Sequence, residues 1–350
     1  MARRYGKVGK KRNRQPSSWR RLKSQFKIQK RLRRLKLALI VVAAVTLTLG
    51  GIYLWNLFTK PLASAASTFK SNVSWDGKTP LNLMYLEVSK IDELAPQTLT
   101  LGVLMLNPTQ ERFSAVEIPV GYARLADIYG LGNLSGERDG LRRLGGTLMD
   151  LLGIPIDGYV LVGSGGIDEL STLFPQVEEL GEVVSLSNLS KLPIVWSIAR
   201  RYVQTDLGLP EIVRVFWFLL QIRSDKVAHM SLGEELLGDP ANLDKKLSPF
   251  VRDDILFAEH LKIQILNGSN APGLAASSAR MIRNIGGEVI RVDNFERQDL
   301  NKGYLILESS GSYTARRLAE IFGVSDSRPP RTGAEARANV TLILGIENAF

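Results

Sequence analysis

Residues 37–58 read LALIVVAAVTLTLGGIYLWNLF, twenty-two residues without a charged side chain. As a helix rising 1.5 Å per residue, such a run is about 33 Å long, enough to cross a bilayer core of ~30 Å. Sixteen Lys and Arg, from Arg3 to Lys36, precede it with no Asp or Glu among them. Cations flanking a span stay on the cytoplasmic side, and aromatic rings favour the interface. Tyr53, Trp55 and Phe58 fall at the far end. The expected topology is a basic cytoplasmic tail (1–36), one transmembrane helix (37–58) and an extracytoplasmic remainder, with the lipid bilayer as first partner. A cleaved signal peptide is the rival reading, with Ala63-Ser64-Ala65 as a small-residue cleavage site. Signal-peptide cores run ~7–15 residues, so the length favours an uncleaved anchor.

The charge balance supports that division. The net charge of +10 belongs to the tail, because the first acid in the chain is Asp76. Beyond residue 75 the chain holds 27 of the 45 basic groups and all 35 acids, a net −8. A basic tail can bind nucleic acid. Placed against a membrane span, it is better read as an orientation signal touching anionic lipid. There is no cysteine, which excludes disulfides, thiolate metal sites and a cysteine nucleophile.

Residues 59–79 are small and polar and read as a stalk. LNLMYLEV (81–88), TLTLGVLML (98–106) and RFSAVEI (112–118) read as strands, the last two joined by an Asn107-Pro108 turn into a hairpin. A helix over 137–152, a strand over 156–162 and a helix around 165–173 follow. Two more helices are expected over 190–204 and 210–223. The second contains VFWFLL, too short to span a membrane and read as a buried helix. Residues 80–231 form the first domain, and 232–260 are taken as a linker. From 261 the order is β-α-β-β-α-β, a split two-layer sandwich running to 350. The fold class is α/β (α+β): a mixed-sheet sandwich followed by a small two-layer domain.

Chemical motifs are sparse. LKIQILNGSNAPGLA (261–275) has the glycine spacing of a phosphate loop in Gly268 and Gly273. Leu274 and Ala275 stand where that loop needs Lys and Ser or Thr. Its glycines are expected to serve backbone geometry instead. His229 and His260 lie in no metal-binding pattern. Gly163-Ser164-Gly165-Gly166 lacks the spacing of a nucleophile elbow and reads as a turn. The acid pairs Asp253-Asp254 and Glu178-Glu179 read as solvated surface.

Residues 261–350 resemble the C-terminal domain found on LytR–CpsA–Psr proteins. ILNGSNAPGLAASSARMIRNIGGEVIRV, YLILESSGSYTARRLAEIFGV and NVTLILG carry the likeness. The preceding domain resembles a reduced catalytic domain of that family, through LNLMYLEV, TLTLGVLMLNPTQERFSAVEIPVGYA and LMDLLGIPIDGYVLVGSGGIDELSTLF. The resemblance implies transfer of anionic glycopolymers from a polyprenyl-pyrophosphate carrier to peptidoglycan, helped by Mg²⁺. The departures are specific. The family's Arg-x-Asp before the second strand has no counterpart in KIDELAPQTLT. Its Ile-Pro-Arg-Asp after the hairpin is Ile118-Pro119-Val120-Gly121 here. Its later Arg-x-Arg and further Asp and Arg are also missing.

The reading is therefore a non-catalytic binding or scaffolding element of the envelope, with no catalytic residues and no cofactor. Peptidoglycan, a polyprenyl-linked glycopolymer or another envelope protein are its expected partners. The alternative is an active transferase with a rearranged pocket, using Mg²⁺. Arg124, Asp127, Arg200 and Arg201 are its anion-contact candidates.

Overall fold

The computed structural model describes residues 74–91, 97–122, 138–173, 191–308, 311–326 and 338–348. The tail, the 37–58 span, Arg124, Asp127 and Glu178-Glu179 lie outside the described residues. Among the described residues, no helix is long and apolar enough to cross a membrane.

The first sheet is built on a meander. β1 (Leu81–Val88), β2 (Thr98–Asn107) and β3 (Arg112–Ile118) are antiparallel, with Leu83 opposite Leu104 and Leu104 opposite Ala115. The β2–β3 turn is set by Asn107, whose side chain accepts from Gln110 N–H at 3.3 Å, and by Glu111 in the left-handed region. After α1 (Arg138–Leu152), β4 (Gly158–Gly163) returns parallel to β1. Then come α2 (Ser164–Leu173), α3 (Leu192–Tyr202), β5 (Val203–Thr205), α4 (Leu209–Gln221) and β6 (Val227–Ser231). The strand order is β5-β4-β1-β2-β3-β6. The short edge strands β5 and β6 have no counterpart in the sequence reading.

Alternation along β1 sends its residues to two cores. Met84, Leu86 and Val88 enter the larger cluster with Leu144 and Leu148 of α1. Leu81 and Leu83 enter a smaller one with Trp75, Leu106 and Leu207, onto which Ile212, Val215 and Phe218 of α4 pack. Trp75 is 7% exposed, so residues 74–79, read as the end of the stalk, are part of the folded body. The expectation of a buried α4 needs correction. One side packs inward, while Val213, Phe216 and Trp217 are 55%, 42% and 64% exposed.

Residues 232–260 are three short helices: α5 (Glu234–Leu237), α6 (Pro240–Val251) and α7 (Asp254–Glu259). Asp239 caps α6 and Asp253 caps α7, each side chain accepting from backbone N–H groups. α6 carries Leu243, Leu247 and Val251 into the larger core and contacts α1, β2 and the second domain.

The second sheet comprises β7 (Lys262–Asn267), β8 (Glu288–Asn294), β9 (Tyr304–Leu307), β10 (Ser325–Asp326) and β11 (Val340–Leu344), ordered β10-β9-β11-β7-β8. Helices α8 (Leu274–Asn284) and α9 (Tyr313–Phe322) complete the β-α-β-β-α-β order. Ile263, Ile265, Leu318 and Leu342 belong to the same cluster as Met84 and Leu144. The two sheets therefore share one continuous hydrophobic core.

Candidate functional site

The resemblance puts chemistry at the end of the first sheet where β1, β3 and β4 finish. Among the described residues, that end carries the 119–122 turn and the polar groups of Glu87, Thr100 and Ser164. After Ile118-Pro119 the chain turns, with Tyr122 N–H donating to Pro119 O at 3.1 Å. Val120 is half-buried and packs on the larger core, and Gly121 faces open space. Nearby, Thr100 donates to Glu87 Oε2 at 2.9 Å, and Ser164 donates to Ser89 O at 3.0 Å. A hard cation wants several convergent oxygens. Of the described carboxylates, Glu87 and Glu117 both lie close enough to Tyr85 to add to the effect of burial in raising its phenol. Among the described residues, no group of three His, Asp or Glu could hold a metal.

Arg200 and Arg201 lie exposed in the last turn of α3. Arg201 meets Glu169 of α2 at 3.2 Å, and the same carboxylate accepts from Tyr202 OH at 2.7 Å. Gly165 and Gly166 make room for this contact. A Cβ on Gly166 would lie 2.5 Å from Tyr202 Cβ. The Gly163–Gly166 stretch thus seats α3 on α2. His229 sits 3.6 Å from Glu117 on the exposed edge, and His260 takes a left-handed turn ending α7.

The loop at 267–273 is held by its own polar groups. Asn267 Oδ1 accepts from Ser269 N–H and hydroxyl at 3.0 and 2.8 Å, and Asn267 Nδ2 donates to Ala271 O at 2.8 Å. A Cβ on Gly268 would lie 3.0 Å from the Leu344 carbonyl oxygen and 2.6 Å from Leu300 Cδ1, so glycine fits this close approach. Gly273 has φ +79°, a conformation glycine adopts without strain. The hollow beside it is lined by Asp293, an acid that repels a phosphate.

The most developed charged site lies between the two domains. Arg317 of α9 has a side chain only 8% exposed. Its Nη1 is 3.1 Å from Asp157 Oδ1 and 3.8 Å from Glu320, and its Nη2 donates to Pro80 O at 3.3 Å. Asp157 precedes β4 and also accepts from Asn82 N–H at 2.8 Å. Asp253 lies 3.9 Å from Arg317 Nε. It accepts from Tyr313 OH at 2.5 Å and caps α7 with its other oxygen. The reading of Asp253 as solvated surface is corrected here: it is 1% exposed. Burial works against the Arg317 charge, but Asp157, Tyr313 and Asp253 more than offset it and hold its pKa up. Burial, then the bond to Asp253, push the Tyr313 phenol well above its ordinary range. Burial raises Glu320, against the pull of Arg317 and Arg316. A cavity of about 220 Å³ opens beside these groups, lined also by Trp75, Asp76 and Glu211.

A second cluster repeats the device. Arg280 of α8 binds Asp244 of α6 at 2.7 Å and donates to Asp150 O and Leu151 O at 2.7 and 3.2 Å. It thereby satisfies the open carbonyls at the end of α1. Asn284 Nδ2 donates to Gly153 O at 2.9 Å. Both arginines are spent on internal acids and carbonyls, so the geometry describes a clamp between domains. No local signal marks Arg317. It sits beside the exposed Arg316, and its partner Asp157 is 160 residues away.

Fold and clamp define a two-sheet α/β protein whose small split-βαβ domain is docked through buried arginines. Residues 260–347 match the family described as LytR cell envelope-related transcriptional attenuator, so this second domain is a LytR-type C-terminal domain. Among solved structures, similarity is found to the Bacillus subtilis protein TagT (12% identity, 53% of this chain and 99% of TagT, TM-score 0.34). It is also found to the transcriptional regulator yvhJ of Bacillus subtilis (17%, 45% and 83%, TM-score 0.32) and to Bacillus subtilis TagV (15%, 45% and 85%, TM-score 0.32). No curated protein sequence matches the chain.

Proposed function

We propose that this chain is a single-span envelope protein carrying a degenerate LytR–CpsA–Psr-like domain and the LytR-type C-terminal domain. It acts as a non-catalytic binding or scaffolding element outside the membrane. The C-terminal match, described as cell envelope-related, supports the compartment. The uncharged 37–58 run supports the anchor. The observation that carries the non-catalytic reading is the 119–122 turn. Half-buried Val120 packs against the core, and Gly121 follows it, where the family has a guanidinium and a carboxylate. Pyrophosphate transfer needs fixed cations on the developing charge, and Arg317 and Arg280 are consumed by the interdomain clamp. The polymer surface of the wall is the partner that fits such an element. The test is glycopolymer transfer and pyrophosphate release by the purified full chain in detergent with Mg²⁺ and a polyprenyl-pyrophosphate-linked donor. Binding without turnover is expected, and sustained turnover removes the reading.

A further inference from the structure

Helix α4 leaves one long side uncovered. Val213, Phe216 and Trp217 are spaced i, i+3, i+4 and so share a face, and all three are exposed. Val227, at the start of β6, is 50% exposed. It pairs with Phe113, which packs on the same cluster as the inner side of α4. The helix has one acid, Glu211, and it is buried. Its carboxylate accepts from Trp75 N–H at 2.8 Å, while Arg214 donates to Trp75 O at 2.6 Å. The point where the chain joins the folded body is thus bonded to α4 itself. Sixteen residues, 59–74, separate this point from the uncharged 37–58 run. Even fully extended, they reach no more than roughly 55 Å.

We infer that the exposed face of α4 is a second membrane contact, seated in the head-group region of the bilayer that holds residues 37–58. The occupant is a lipid surface. Trp and Phe are the side chains that favour this boundary, and an apolar helix face without carboxylates enters it at low desolvation cost. Arg214, on the edge of the face, keeps its charge at the wet margin. The inference rests on the membrane-anchored reading above and gives it an orientation: the first domain lies down on the membrane through α4.

The cysteine-free chain suits the test. Full-length protein carrying Val213→Cys, Phe216→Cys or Trp217→Cys is nitroxide-labelled and reconstituted into phosphatidylcholine nanodiscs. Lys246→Cys, exposed on α6, is the aqueous control. At all three α4 positions, collisions with oxygen should exceed those with a water-soluble nickel chelate, by several-fold relative to residue 246. Equal exposure to nickel at all four positions overturns the inference. So does dipolar broadening at 217 that disappears when labelled chains are diluted with unlabelled ones, because the face is then covered by a second copy. Carbonate washing of membranes separates the two claims. Release of the chain defeats the anchored reading itself, whereas retention with aqueous α4 labels defeats only this inference.

Discussion

Replacing Arg317 by Met keeps most of the buried stem and removes the charge. Asp253 loses little, since Tyr313 OH and the N–H groups of Ile255 and Leu256 still donate to it. Asp157 loses its cation at 3.1 Å and keeps Asn82 N–H. Pro80 O loses a donor. Stranding one member of a buried pair costs ~3–5 kcal/mol, and the bonds that remain put this case at the lower end, about 3 kcal/mol. For a body of this size that corresponds to a melting temperature roughly 6–12 °C lower. The assay is thermal and urea unfolding of the full chain in detergent, followed by tryptophan fluorescence. Asp157→Asn and the double variant complete a cycle, in which the double change should cost about 1–3 kcal/mol less than the two singles summed. A loss below ~1 kcal/mol for Arg317→Met, or additivity within ~0.5 kcal/mol, refutes the clamp.

Two further outcomes follow from the same interface. Tyr313→Phe should destabilise at pH 8 by about 1.5–3 kcal/mol, the range for a bond to a charged acceptor. Its folded pKa is raised, so this stability is present below the ordinary tyrosine value of ~10 and is lost as pH climbs toward the folded one. The difference in urea midpoint between wild type and variant should therefore shrink above pH 10, and a constant difference would refute the assignment. Gly153→Ala combines a φ of +63° with a Cβ 2.7 Å from Asn284 Nδ2, so it should cost more than ~1 kcal/mol in the same unfolding assay.

Much of the architecture was legible because the elements are locally consistent. RFSAVEI is a strand from Arg112 to Ile118, and the β-α-β-β-α-β order of the second domain follows from apolar runs separated by Gly-rich turns. What escaped the sequence is non-local. VFWFLL is apolar on both sides, so its pattern cannot say that Val215 and Phe218 turn inward while Phe216 and Trp217 do not. VAHMS pairs as an edge strand only because β3 offers it a free ladder. Asp253-Asp254 looks like any surface acid pair, yet one member is buried by Tyr313 and Arg317, sixty residues further on. At the sheet end the reverse held: the uncharged Val120-Gly121 was readable, and the fold adds that half-buried Val120 packs against the core.

The position of β1 has a mechanical consequence. The chain joins the body at Trp75 and runs directly into β1, which has β2 on one side and β4 on the other. A pull on the segment before Trp75, resisted at the second domain, reaches that strand first. The six residues Leu83–Val88, bonded on both edges, must then be sheared out together, whereas an edge strand would peel one bond at a time. On the anchored topology proposed above, a tether attached at β1 would suit carrying tension between the membrane and whatever the second domain grips.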